Sequence, residues 1–192
     1  MGTINLETAT LAGGCFWCTE AIFKRLKGVA SAVPGYSGGK VENPSYEQVS
    51  SGMSGHAEAI QIQFDPNEIS YDQLLDVFFK LHDPTQMNRQ GNDVGEQYRS
   101  AVFYHSEEQK KAVEKKIEDL ESNSNLKGKI VTQVESFKSF YEAEDYHKNY
   151  YDKNRSAGYC RIVIDPKIHK LYRDFGDKVK KDFKNKIKND LG

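Results

Sequence analysis

A chain of 192 residues with 27 basic and 28 acidic side chains has a formal net charge of −1, which supplies no general electrostatic attraction to nucleic acid. It is long enough to bury a core without staples, and it has no apolar run long enough to span a bilayer. Three cysteines, an odd count, make no disulfide framework; with no basic-then-apolar leader, they fit working thiols in a reducing, cytoplasmic compartment.

The residues up to about Leu11 read as a lead-in and a strand, ended by the tight Gly13-Gly14 turn. Glu20 to Leu26 reads as an amphipathic helix with a glycine cap at Gly28, so Cys15 falls at or near a helix N-terminus. Val29–Val33 is a second strand that runs into the turn-rich Pro34–Gly39 stretch, and Asn43-Pro44-Ser45-Tyr46 opens a short helix or turn. In the strand Ala57–Phe64, Glu58, Ile60, Ile62 and Phe64 share one face, which puts a carboxylate on the apolar side. Ser70 and Gln73 have capping-box spacing ahead of the stripe Leu74, Leu75, Phe78 and Leu81. His82–Gly95 is polar and irregular, Tyr98–Tyr104 a strand, and Ser106 caps a charged helix reaching about Ser122. Ile130–Val134 is a further strand, Phe137–Asn154 helix and loop, Ser156–Cys160 flexible, and Pro166–Lys188 a lysine-rich amphipathic helix. With no repeat or linker, the alternation predicts one α+β domain over residues 1–192, a two-layer α/β sandwich on a mixed sheet, with residues 156–192 as an extended C-terminal segment.

The chemistry concentrates in Cys15-Phe16-Trp17-Cys18. Unpaired amides and the dipole at a helix N-terminus favour a thiolate, so Cys15 is a candidate nucleophile. Cys18, one turn on, is within disulfide reach on a helix. A Cys-x-x-Cys pair also suits thiol–disulfide exchange, or half of a zinc site completed by Cys160 and His56, although no second closely spaced pair exists. Trp17, the one tryptophan, is a candidate pocket wall, and Phe16 divides between wall and core. Burial on the apolar face predicts that Glu58 stays protonated and able to donate. Tyr36, Tyr46 and Tyr98 flank turns, where a structural role is the ordinary one, as it is for His56.

Taken together, Gly13-Gly14-Cys15-Phe16-Trp17, Gly35-Tyr36-Ser37-Gly38-Gly39, Asn43-Pro44-Ser45-Tyr46, Gly55-His56-Ala57-Glu58, His82-Asp83-Pro84, Gln90-Gly91-Asn92-Asp93, Tyr98-Arg99-Ser100, the Phe140–His147 run and Gly158-Tyr159-Cys160 closely resemble the A-type peptide methionine sulfoxide reductases over about residues 8 to 170. The resemblance implies a ferredoxin-like core and reduction of methionine S-sulfoxide, free and in proteins, as antioxidant repair. It implies Cys15 as nucleophile, Phe16 and Trp17 as the cage for the sulfoxide methyl, and Glu58, Tyr46 and Tyr98 as donors to the sulfoxide oxygen. It also implies Asp93 as the residue that orients the substrate backbone, with Tyr36 and His56 expected to line the substrate site. It further implies Cys160 as the resolving thiol, no bound cofactor, and thioredoxin as the external reductant of a monomer. Cys18 stands where glycine is frequent in the family, which leaves resolution by Cys18, by Cys160 or by both in relay.

Overall fold

The structure is a computed structural model that describes residues 5–123, 126 and 128–183. Its centre is a βαββαβ unit: β1 (Glu7–Gly13), α1 (Phe16–Phe23), β2 (Val29–Ser37), β3 (Ala57–Phe64), α3 (Tyr71–Leu81) and β6 (Ser100–Tyr104), with the short α2 (Tyr46–Ser50) between β2 and β3. The strands lie side by side as β6-β1-β3-β2, all antiparallel, which is the expected ferredoxin-like core. Two short strands extend it: β7 (Gln133–Ser136) runs parallel to β6, and β8 (Phe140–Glu142) antiparallel to β2, making a six-stranded mixed sheet. A small hairpin of β4 (Arg89–Gln90) and β5 (Asp93–Val94) stands apart.

Strand alternation divides the sheet into two faces. Leu11, Ile60, Ile62, Phe64 and Val102 face α1, α3 and the C-terminal α6 (Asp165–Phe175), joined by Leu74, Leu75 and Phe78. On the other face, small Ala12, Ala57, Ala59 and Ala101 leave room for Phe103, Phe137 and Phe140. Capping boxes start α2 (Ser45 with Gln48) and α3 (Ser70 with Gln73). The charged helix α4 (Glu107–Asn123) buries only Gln109 and Val113. No helix among the described residues is long and apolar enough to cross a membrane.

Several expectations need correction. The first helix begins at Phe16 rather than Glu20 and is buried on nearly every side instead of amphipathic, Trp17 being its one half-buried residue. β2 continues through Pro34 to Ser37, because pairing with β8 begins just beyond the proline, at Gly35. Tyr98 lies in a 3-10 turn (Glu96–Tyr98) before β6. The strand expected at Ile130–Val134 is displaced to Gln133–Ser136, since Ile130 and Val131 donate their amides to Glu121 and Pro84. The Phe137–Asn154 stretch contributes β8, a 3-10 turn at Asp145–His147 and α5 (Tyr150–Lys153). The segment expected to be flexible leads into a π-helical turn, Cys160–Ile164, with Cys160 fully buried. The lysine-rich helix stops at Phe175, where the chain folds back so that Val179 bridges to Leu26; residues 184–188 of that expected helix lie outside the described residues.

Candidate active site

The site is built on the β1–α1 turn. Gly14 has φ +87°, and a Cβ there would lie 2.7 Å from Gln90 Cβ and Cγ, so only glycine fits without displacement. The Gln90 side chain is itself fixed, accepting from the Asp83 amide at 3.0 Å and donating to the Asp83 carbonyl at 3.1 Å. This turn makes Cys15 the N-cap of α1, with no side-chain capping bond. Its carbonyl accepts from the Cys18 amide at 3.1 Å, closing the first turn. The Phe16 amide, one of the donors left free at a helix start, points across to β3 and donates to Glu58 Oε2 at 2.9 Å.

Glu58 is 2% exposed. Burial pushes its carboxyl up to about 8, with the charges of Asp93 and Cys18 adding and the Phe16 hydrogen bond opposing. It is therefore protonated at neutral pH: one oxygen accepts from Phe16 and the other is free to carry the hydrogen. Burial and the nearby Glu58 and Cys15 charges push Tyr46 up to about 12 and Tyr98 further, so both phenols remain donors. Tyr36 is also raised, by burial and by Glu144, to which its hydroxyl donates at 2.7 Å. The other Glu144 oxygen accepts from the Tyr46 amide at 2.8 Å, so Tyr36 acts through Glu144 to hold Tyr46 in place.

The two buried thiols of the Cys-x-x-Cys pair shift each other's ionisation in opposite directions. Burial, the Cys18 thiol and the Glu58 carboxyl push Cys15 well above the usual thiol range. Cys18 goes down to about 7, because Cys15 donates to it and Lys167 lies close by. This runs against the expectation of a resting Cys15 thiolate: burial and the neighbouring sulfur oppose the helix-terminal amides at Cys15, while Cys18 is moved toward its ionised form.

Aromatic rings wall the site. Trp17 stacks on Tyr150 at 3.7 Å and 8°, and its indole N–H donates to His147 Nδ1 at 3.0 Å. The His147 ring lies 4.9 Å from Phe16 and 4.5 Å from Tyr46, and its buried Nε2 has no hydrogen-bond partner. Burial lowers the His147 pKa, so the ring is neutral; with Nδ1 accepting, Nε2 carries the hydrogen. Across from this wall the Tyr159 hydroxyl donates to Asp93 Oδ2 at 2.7 Å and lies 4.0 Å from the Cys18 sulfur. Glu20, buried in α1, accepts from the Asn149 amide with both oxygens, at 2.8 and 2.9 Å, and so fixes the His147–Tyr150 wall against the helix.

Cys15, Phe16, Trp17, Cys18, Tyr46, Glu58, Asp93 and Tyr98 thus converge. His56 is held elsewhere: its Nδ1 accepts from the Gly39 amide at 3.1 Å and its Nε2 meets the Val41 carbonyl at 2.8 Å, which occupies both nitrogens in shaping the Gly38–Val41 loop. It is also unavailable to complete the zinc set considered with Cys15, Cys18 and Cys160; among the described residues, no three His, Cys, Asp or Glu side chains gather as metal ligands.

Residues 7–179 match the family model described as peptide methionine sulfoxide reductase. The chain belongs to that family. It is 59% identical over 173 residues to the peptide methionine sulfoxide reductase MsrA of Sulfolobus acidocaldarius, an alignment covering 90% of this chain and 97% of the relative. In structure it resembles reduced Mxr1 from Saccharomyces cerevisiae (TM-score 0.73, 36% identity, 83% of this chain and 91% of that one). It also resembles Mxr1 in complex with Trx2 (TM-score 0.51, 26% identity, 78% and 87%).

The reductase contains site residues that inspection of local sequence overlooks. Glu144, His147, Tyr150 and Tyr159 take their places through contacts some 66 to 141 positions apart in the chain. The clustering of aromatic and acidic residues from Phe140 to Tyr151 was the available signal, and nothing local assigns a role within it.

Proposed function

We propose that this reductase acts on methionine S-sulfoxide, free and in proteins, through a Cys15 sulfenic acid and an internal disulfide recycled by thioredoxin. The observation that carries the reading is the buried carboxyl of Glu58, anchored by the Phe16 amide directly after Cys15 and pushed toward its protonated form by that burial. A sulfoxide sulfur is a poor electrophile until its oxygen is hydrogen-bonded or protonated. Glu58, with the phenols of Tyr46 and Tyr98, supplies donors without adding a buried charge, and Phe16 and Trp17 receive the methyl group. As the Cys15 proton passes to Cys18, the Cys15 sulfur attacks. Oxygen moves from the methionine sulfur to Cys15, so methionine is reduced by two electrons and Cys15 becomes a sulfenic acid. Asp93, fixed by Tyr159, orients the substrate backbone.

A second thiol then condenses with the sulfenic acid, releasing water and leaving a disulfide for an external dithiol. Cys160, on the C-terminal segment, and Cys18 are the available thiols. The relative recorded with Trx2 supports a thioredoxin as the reductant. Three cysteines, too few and odd in number for a disulfide framework, suit a reducing cytoplasm, where a monomer of this kind serves antioxidant repair. Turnover of a sulfoxide-containing peptide with dithiothreitol tests the reading: methionine accumulates from the S epimer, and its absence rejects the assignment.

A further inference from the structure

Cys18 is the third helical residue after the N-cap Cys15, the spacing at which a cap side chain meets the first turn. Cys160 does not have this access. It is fully buried on the π-helical turn ahead of α6, and among the cysteines its electrostatic neighbour is Cys18. Cys18 is thus one helical turn from Cys15 and carries a charge that Cys160 feels. Lys167, in the first turn of α6, lines a small cavity with Cys18, Gly13, Thr19 and His82, and its charge favours the ionised Cys18 sulfur.

The groups facing Cys18 differ in what they can do once Cys15 is oxidised. The Cys15 S–H that supports the Cys18 charge is then gone. Glu58, from β3, is neutral, and the Tyr159 hydrogen is committed to Asp93. His82, after α3, is held neutral by burial, which pushes it down to about 4. Cys160 is itself raised by burial. Among the described residues, Lys167 is the cation that remains at this sulfur.

We propose that Cys18 resolves the oxidised Cys15 first and that Lys167 is the positioning residue that holds the Cys18 sulfur as the attacking thiolate, with Cys160 carrying the disulfide onward. This rests on the sulfoxide reductase reading above. The Cys18 thiolate attacks the Cys15 sulfur, the S–O bond breaks, and hydroxide leaves as water by taking up the proton that Cys18 released. Cys160 then attacks Cys18, freeing Cys15 and presenting a Cys18–Cys160 disulfide to the external dithiol. Each step conserves electrons: the sulfenic acid and one thiol give a disulfide and water, and exchange follows.

The test is a single turnover of the full chain with one equivalent of methionine S-sulfoxide peptide, acid-quenched, alkylated and mapped for disulfides by mass spectrometry. Wild type forms Cys15–Cys18 before any disulfide to Cys160. Lys167→Met is compared with Lys167→Arg, reading disulfide formation against methionine release in the same samples. A rise of about one pKa unit at Cys18 lowers its thiolate fraction but raises its intrinsic nucleophilicity, so the Met variant forms the disulfide about twofold slower at pH 7 and about 2.5-fold faster at pH 9. The Arg variant restores the wild-type profile. A purely structural role slows both pH values alike, which overturns the assignment to Lys167; a first disulfide between Cys15 and Cys160 overturns the order. Wild-type mapping decides the order even if Lys167→Met does not fold. No methionine from wild type removes the reductase reading itself, a result distinct from methionine released with the wrong disulfide.

Discussion

Glu58→Gln removes the hydrogen that the account assigns to catalysis while keeping the shape of the side chain. The glutamine carbonyl can still accept from the Phe16 amide, which wild-type Glu58 meets at 2.9 Å, so α1 and β3 remain linked. A general acid contributes roughly 10²- to 10⁴-fold, and methionine release in a single turnover should fall by about that factor. The pH dependence gives a second reading. The carboxyl, pushed up to about 8, is protonated below that value and ionised above it, so wild-type turnover falls as pH rises through about 8. The variant lacks this alkaline limb. Stability carries the same sign: a folded-state pKa raised from 4.5 to about 8 means that stabilisation is complete below 4.5 and is lost as pH rises through 8. The loss is at most about 5 kcal/mol. Urea unfolding of wild type should therefore weaken across that window, and the variant should respond less. Release of methionine within about threefold of wild type, or survival of the alkaline limb, would refute the reasoning.

Other variants probe separate parts of the site. Cys160→Ser should halt thioredoxin-linked turnover yet spare one round of methionine release, as a burst experiment would show; full steady-state turnover would move its role to Cys18. Gly14→Ala forces a Cβ against Gln90 at positive φ and should cost about 1–3 kcal/mol in denaturant unfolding, along with a slower methionine burst. Trp17→Phe keeps an aromatic wall but loses the bond to His147, so KM for a sulfoxide peptide should rise more than kcat falls.

The features legible in sequence are those with local causes. The strand Ala57–Phe64 appears with its predicted bounds because alternation over eight residues is a local pattern, and that pattern alone put Glu58 on the helix-covered face. The α3 capping box is equally local. Gly13-Gly14 placed Cys15 at a helix start, but the state of its sulfur depends on burial and on the Cys18 sulfur, which itself feels Lys167 far along the chain. Distant partners account for the other misses. Pro34-Gly35 reads as a turn, yet it lies within β2 because β8 closes on Gly35 so tightly that a Cβ would meet Phe140 and the Tyr141 carbonyl at 2.4 Å. The C-terminal helix ends where Val179 finds Leu26, a pairing that no local pattern announces.

The most direct measurement of the central claim is methionine release from the S and R epimers of one sulfoxide peptide, mixed with reduced wild-type protein in the absence of any external thiol. Reduced wild-type protein should release one equivalent of methionine from the S epimer and none from the R epimer, losing the Cys15 thiol in step with the product. Methionine formed while Cys15 stays reduced, or equal release from both epimers, would contradict it.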